Sequence, residues 1–186
     1  MSTIDTAGVV TYGNAVAAAA LHGGDALPSQ FLTFLLSGDQ YAVGILHIKE
    51  IIEYGSLATV PMMPACVRGV INLRGAVVPV MDLSARFGRA QSQIGKRSCI
   101  VIVEASGVDG DGKQVLGMLV DAVNAVVDIA ADDIEPAPPF STRIRPDFIA
   151  GMGKHNGRFV TLLDIERVLS SEEIVEMVRG TAAAVA

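Results

Sequence analysis

The sequence predicts a mainly β protein made of two similar small β-barrels, closed by a short C-terminal helix. Three observations carry this: short apolar segments rich in β-branched residues, 19 glycines that punctuate them, and a unit that occurs twice. The expected organisation is an unstructured extension over 1–28, a first half over 29–95, a second over 96–169, a helix over 170–180 and a frayed tail over 181–186. Each half is long enough for about five strands of ordinary length.

The duplicated unit is Pro64 to Leu83, which returns as Pro146 to Ile165. Pro64, Gly69, Gly75, Val78 and Asp82 recur as Pro146, Gly151, Gly157, Val160 and Asp164. Val67, Val80, Met81 and Leu83 are matched by Ile149, Leu162, Leu163 and Ile165. Two copies point to two similar domains, since a solenoid needs at least three repeats. The shared glycines serve backbone geometry and the shared aliphatics serve a core. Asp82 and Asp164 recur in place and read as turn or helix-start carboxylates.

Each copy reads as strand, tight turn, strand. In the first, Asn72-Leu73-Arg74-Gly75 has Asn and Gly where a type I turn prefers them, which places Leu73 and Arg74 on the tip. A tip leucine has no easy route to a core, and Arg74 has no carboxylate nearby in sequence. An exposed apolar-plus-arginine tip is a candidate binding anchor. The second copy has Lys154-His155-Asn156 instead, so only the first tip carries this pair.

The remaining elements follow in order. Met1 to Pro28 is rich in Ala and Gly and gives no clear strand signal. Phe31–Leu36 and Tyr41–Ile52 form a hairpin around Ser37–Gln40. Leu46, Ile48, Glu50 and Ile52 share one face of its second strand, and the mixture of charged and apolar residues on both faces predicts a bend or bulge near Gly44 or Lys49. Pro79 requires an edge or a bulge. Ser84–Gly88 suits one helical turn, and the polar run Arg89–Arg97 connects the halves. Ser98–Val103, Val115–Val120 and Val123–Ile129 are strands, and the proline-rich Asp132–Pro139 is an extended link. Ser170 and Glu173 can form a capping box for the helix that Gly180 ends.

Composition excludes several classes of function. With 14 basic and 20 acidic residues the net charge is −6, and no basic run offers a footprint for nucleic acid. No tryptophan and three tyrosines leave few stacking platforms for single strands. Cys66 and Cys99 are isolated, and two buried thiols in a reducing compartment are expected. His22, His47 and His155 show no metal or triad spacing, and no phosphate-binding loop or nucleophile elbow occurs. Asp109-Gly110-Asp111-Gly112 lacks the ligand pattern of a calcium loop. No catalysis, cofactor or metal is expected. No apolar run reaches the roughly 18 residues of a membrane helix, and the first Lys or Arg is Lys49, so the positive leading region of a signal peptide is missing and none is expected. A cytoplasmic protein without membrane insertion is expected.

The run Val67-Arg-Gly-Val-Ile-Asn-Leu-Arg-Gly-Ala-Val-Val-Pro-Val-Met-Asp-Leu83 closely resembles the signature of the CheW family, the coupling proteins of bacterial chemotaxis. The similarity runs from about Gln30 to Val178 and includes Gln40-Tyr41-Ala-Val-Gly-Ile, Gly117-Met-Leu-Val-Asp121-Ala-Val and Ile134-Glu-Pro-Ala-Pro-Pro-Phe. It implies two five-stranded SH3-like barrels and a non-catalytic adaptor. Such an adaptor joins the cytoplasmic tip of a chemoreceptor to the regulatory domain of the histidine kinase CheA at membrane receptor arrays. The receptor contacts it implies are Asn72, Leu73 and Arg74 on the tip with Ile48 and Glu50 on the strand. It assigns no kinase contact to individual residues. The competing reading from another class is a small-ligand-binding β-barrel, motivated by aliphatic content and a groove between halves. As a lone exposed carboxylate, Glu50 is the weakest of the five assignments.

Overall fold

The computed structural model describes residues 3–4, 10–11, 29–106, 112–138 and 144–170. The helix expected over 170–180, the tail over 181–186 and the glycine-rich loop around Asp109 lie outside the described residues, apart from Ser170 and Gly112. The first strands are β1 (Thr3–Ile4), β2 (Val10–Thr11), β3 (Ser29–Leu36), β4 (Asp39–Gly44) and β5 (Ile48–Glu53). The first copy of the duplicated unit is β6 (Val67–Leu73), β7 (Ala76–Asp82) and α1 (Leu83–Arg86). Next come β8 (Cys99–Ser106), β9 (Lys113–Val120), β10 (Ala122–Ile129) and the short β11 (Ile134–Glu135). The second copy is β12 (Ile149–His155), β13 (Arg158–Leu163) and α2 (Ile165–Val168).

The duplication is real in three dimensions. Both units are a hairpin followed by one helical turn, and both skip a residue of register at the equivalent place, between Val67 and Gly69 and between Ile149 and Gly151. The Asp82 amide donates to Cys66 O at 2.7 Å, and the equivalent Asp164 amide donates to Phe148 O at 2.8 Å. Both aspartates cap the helix that follows, accepting from Ala85 N and Arg167 N at 3.3 Å each. Capping relieves one of the amides that a helix start leaves unbonded.

The strands form two sheets, with orders β1-β2-β5-β8-β9-β7-β6 and β10-β3-β4-β13-β12-β11. The halves expected at 29–95 and 96–169 are therefore sequence repeats and not separate sheets. Each half donates its first hairpin to the other: β3–β4 joins β13 and β10, while β8–β9 joins β7 and β5. The donated strands β4 and β9 each run parallel to their new neighbour. The expected single strand Tyr41–Ile52 is split for this purpose. It ends at Gly44, turns through a 3-10 segment at Ile45–His47 and resumes in the other sheet as β5. A further register skip falls between Ile48 and Glu50, so the bend expected near Gly44 or Lys49 takes the form of this turn and this skip. No pairing closes either sheet into a ring among the described residues.

Two other expectations change. Within the first 28 residues, β1 pairs with β2, and β2 pairs with β5 at Val10↔Ile51 and Thr11↔Glu50. The run Val9-Val10-Thr11-Tyr12 has the β propensity for this, and β5 would otherwise present an open edge. Pro79 sits on an interior strand. Its parallel pairing with β9 starts only at Val80, and Val70 opposite directs its amide and carbonyl to Ala58, so no ladder bond needs a Pro79 amide.

The exchange places the largest core between the sheets. Leu32, Phe34, Leu36, Val43, Met81, Leu83, Val101, Val103, Met118, Phe148, Leu163 and Ile165 form one buried cluster drawn from both halves. Ile100 and Ile102, alternating with Val101 and Val103 on β8, face a second cluster with Val78, Val80 and Leu119. A strand buried on both faces reads as a continuous apolar run, as Ile100–Val103 does. Each such side chain stabilises the fold by about 1.5–3 kcal/mol relative to exposure, and neither half can collect this without the other.

Candidate functional site

The tip of the first duplicated hairpin is where the structure gathers residues distant in sequence. Its turn is Leu73-Arg74-Gly75-Ala76, one position later than the Asn72 start that the type I pattern suggests. Arg74 and Gly75 both have positive φ, 51° and 88°, which makes a type I′ turn. The right-handed twist of paired strands favours this primed form, so strand geometry overrides the local sequence preference. Asn72 lies on the strand, and its Oδ1 accepts from the Gly75 amide at 2.9 Å. Leu73 also lies on β6 and reaches a core after all, packing half-buried against the Val78, Val80, Ile100, Ile102 and Leu119 cluster.

Arg74 has a carboxylate partner that sequence proximity does not reveal. Its Nη1 and Nη2 donate to Glu50 Oε1 and Oε2 at 3.0 and 2.9 Å, a fork-to-fork ion pair between the turn and β5. The two ends sit in different environments. The Glu50 side chain is 4 % exposed and that of Arg74 67 %. Glu50, expected as an exposed carboxylate, is therefore a buried charge, and Arg74 is its lid toward solvent. A buried carboxylate is tolerable only when paired and hydrogen-bonded, which fixes the orientation of the guanidinium. Ile48 is buried in the central cluster. Of the five sequence-assigned residues, Arg74 and Asn72 face outward, Leu73 is half-buried, and Glu50 and Ile48 are buried.

The second sheet lacks this pair, as strand register shows. In the first sheet Val80 is opposite Gly117, Gly117 opposite Ile102, and Ile102 opposite Glu50. In the second, Leu162 is opposite Ala42, Ala42 opposite Thr33, and Thr33 opposite Ala125. Leu162 is the duplicate of Val80, so Ala125 occupies the place of Glu50, and Asn156 that of Arg74. The ion pair belongs to one copy only. Val77 escaped the sequence reading. It is the cross-strand partner of Asn72, so the two share one face, and it is 70 % exposed. Its position in an apolar strand concealed it, because periodicity alone does not say which face of a hairpin is covered.

No group of three or more His, Cys, Asp or Glu could hold a metal ion among the described residues. Cys66 is buried and Cys99 half-buried rather than buried; burial raises both thiols above their usual range, which disfavours the reactive thiolate. Asp147 is held below the usual carboxylate range by its hydrogen bond to Arg145. A cleft of about 310 Å³ lies against Ser37, Ser84, Arg89, Gln91, Ser92 and Asp121. Its polar groups already bond one another and the backbone: the Ser37 amide to Asp121, Ser84 Oγ to Ala90 O, and the Ser92 amide to Asp82. This is not the apolar pocket that a small-ligand barrel would use.

A family model described as the CheW-like domain matches residues 30–173. The chain belongs to the CheW-like family. Among curated CheW-type relatives, a chemotaxis protein CheW from Klebsiella aerogenes is 32 % identical over 151 residues, covering 81 % of this chain and 87 % of that protein. One from Rhizobium meliloti is 32 % identical over 144 residues, covering 77 % and 89 %. The crystal structure of the scaffolding protein TtCheW from Thermoanaerobacter tengcongensis aligns with a TM-score of 0.69 at 33 % identity, covering 79 % of this chain and 91 % of that one. The CheW-like match begins one residue into β3, so β1 and β2 lie outside it. No described helix is long and apolar enough to cross a membrane.

Proposed function

We propose that this protein is a non-catalytic chemotaxis adaptor that couples the cytoplasmic tip of a transmembrane chemoreceptor to the histidine kinase CheA. It acts in the cytoplasm and is recruited to receptor arrays at the membrane. Its receptor surface is the β6–β7 tip, where Arg74 and Asn72 make contact, Val77 adds apolar area and Leu73 supports the turn from beneath. Glu50 serves this surface by holding the guanidinium, and Ile48 by packing under β5. The observation that carries the reading is the Arg74–Glu50 pair, present in one copy of a duplicated unit and absent from the other. The pair holds a cation at an exposed turn over a buried carboxylate, and the equivalent hairpin has Asn156 at that turn with no such pair. The exposed side of a guanidinium can still bond a partner's carboxylate or carbonyl groups.

The test compares Arg74→Glu with Asn156→Glu for affinity toward a soluble receptor-tip fragment. Arg74→Glu is expected to lose about 2–5 kcal/mol of binding, because it reverses a central charged contact. It also sets two carboxylates together at the buried Glu50, so folding stability should fall by about 1–3 kcal/mol, more than an ordinary surface change. Glu50→Gln/Arg74→Gln removes both charges and separates the two effects: it should fold well and still bind weakly. Asn156→Glu should leave binding nearly intact. Normal binding by folded Arg74→Glu, or a loss that only tracks its unfolded fraction, refutes the assignment.

A further inference from the structure

The Glu50 side of this surface has a neighbour that the family match does not include. Strand β5 is flanked by β8 on one side, and on the other its edge is taken by β2, with Val10 opposite Ile51 and Thr11 opposite Glu50. β1 pairs with β2 in turn, so an N-terminal ribbon extends the sheet beyond the five strands contributed by the exchanged halves. An unpaired strand edge is a row of free amides and carbonyls on which any extended segment can add a strand. Here the segment on it comes from the same chain, tethered by residues 12–28. Adjacent strands lie about 4.8 Å apart, so the backbone at Thr11 is one strand spacing from Glu50, the residue that holds Arg74.

We infer that β2 is a cis-acting edge strand that shields β5 and competes with a partner for the surface beside Glu50 and Arg74. The inference rests on the receptor reading for the identity of the partner and on strand pairing alone for the shielding. An intramolecular strand wins at low partner concentration because its tether keeps its local concentration high. It yields when a partner gains more from the tip than two residues of ladder supply. The apparent affinity is then the intrinsic affinity reduced by the fraction of molecules whose edge is open.

The experiment uses the full chain and its Val10→Pro/Thr11→Pro variant, which removes both β2 amides without touching the family-matched domain. Amide hydrogen exchange is read on β5 with no partner present, and affinity is read with the soluble receptor-tip fragment. If β2 covers the edge in about nine molecules of ten, β5 amides that face it should exchange about tenfold faster in the variant, and the fragment should bind about tenfold tighter. Exchange on β8, shielded on both sides, should not change. Unchanged exchange on β5 overturns the shielding. Faster exchange without a gain in affinity overturns the competition. A fragment that binds neither protein refutes the receptor reading and the competition with it, while the exchange rates still decide whether the strand is there.

Discussion

Arg86 Nε donates to Val168 O at 2.8 Å, and these two residues are duplicates of each other, Arg86 at the end of α1 and Val168 at the end of α2. Equivalent positions of a repeat touch only near the axis that relates the copies. The two one-turn helices therefore meet near that axis. The Arg86 guanidinium lies 4.8 Å from the centroid of the Phe148 ring, with that of Arg145 at 4.5 Å from the same ring.

This contact joins the halves and should be felt by both. Arg86→Ala removes a charged donor from the end of α2 and a cation from an aromatic face, for an expected loss of about 2–3 kcal/mol. Thermal unfolding followed by two probes, one in each sheet, should shift as a single transition. Two separated transitions would show that the two sheets unfold independently.

Asp82 and Asp164 occupy one position in two copies but carry different loads. Asp82 is fully buried and, besides its cap, accepts from the Ser92 amide at 2.8 Å, Ser92 Oγ at 3.0 Å and Arg68 Nη1 at 3.2 Å. Asp164 is half-buried, and its side chain makes the cap alone among the described contacts. Asp82→Ala should cost about 3–5 kcal/mol, as loss of one member of a buried charged network does. Asp164→Ala should cost about 1 kcal/mol, the ordinary value of an N-cap. Denaturant midpoints measure both, and equal costs would refute the asymmetry.

Two glycines of the first copy compare strain alone with strain and crowding together. Gly75 has φ 88°, and a methyl group on its Cα would meet nothing within 4 Å, so Gly75→Ala should cost about 1–2 kcal/mol of backbone strain. Gly69 has φ 155°, and a Cβ there would stand 2.6 Å from Ala58 O, within the bridge that ties Ala58 to Val70. Gly69→Ala should cost about 3 kcal/mol or more, since the clash with a backbone carbonyl, which cannot rotate away as a side chain would, adds to the strain of the positive φ. Equal unfolding midpoints for the two variants would show that the Ala58 bridge gives way freely.

Much of this protein is decided by local pattern. β propensity and turn residues place most of the longer strands near their observed positions, and the spacing of Gly69, Gly75 and Asp82 against Gly151, Gly157 and Asp164 reveals the duplication. The caps at Asp82 and Asp164 follow from the same spacing, because a cap is an interaction across three residues. The tertiary structure alone decides which sheet each hairpin joins. Either partner would satisfy the backbone of β3–β4 equally well, and the choice rests on the core shared by both halves. It also decides the site. Arg74 and Glu50 are 24 residues apart, and no periodicity links a turn to a strand of another hairpin. The burial of Glu50 and Ile48, the primed turn that moves the tip to Arg74 and Gly75, and the N-terminal strand at β5 all depend on which edges and faces the packed sheets leave open.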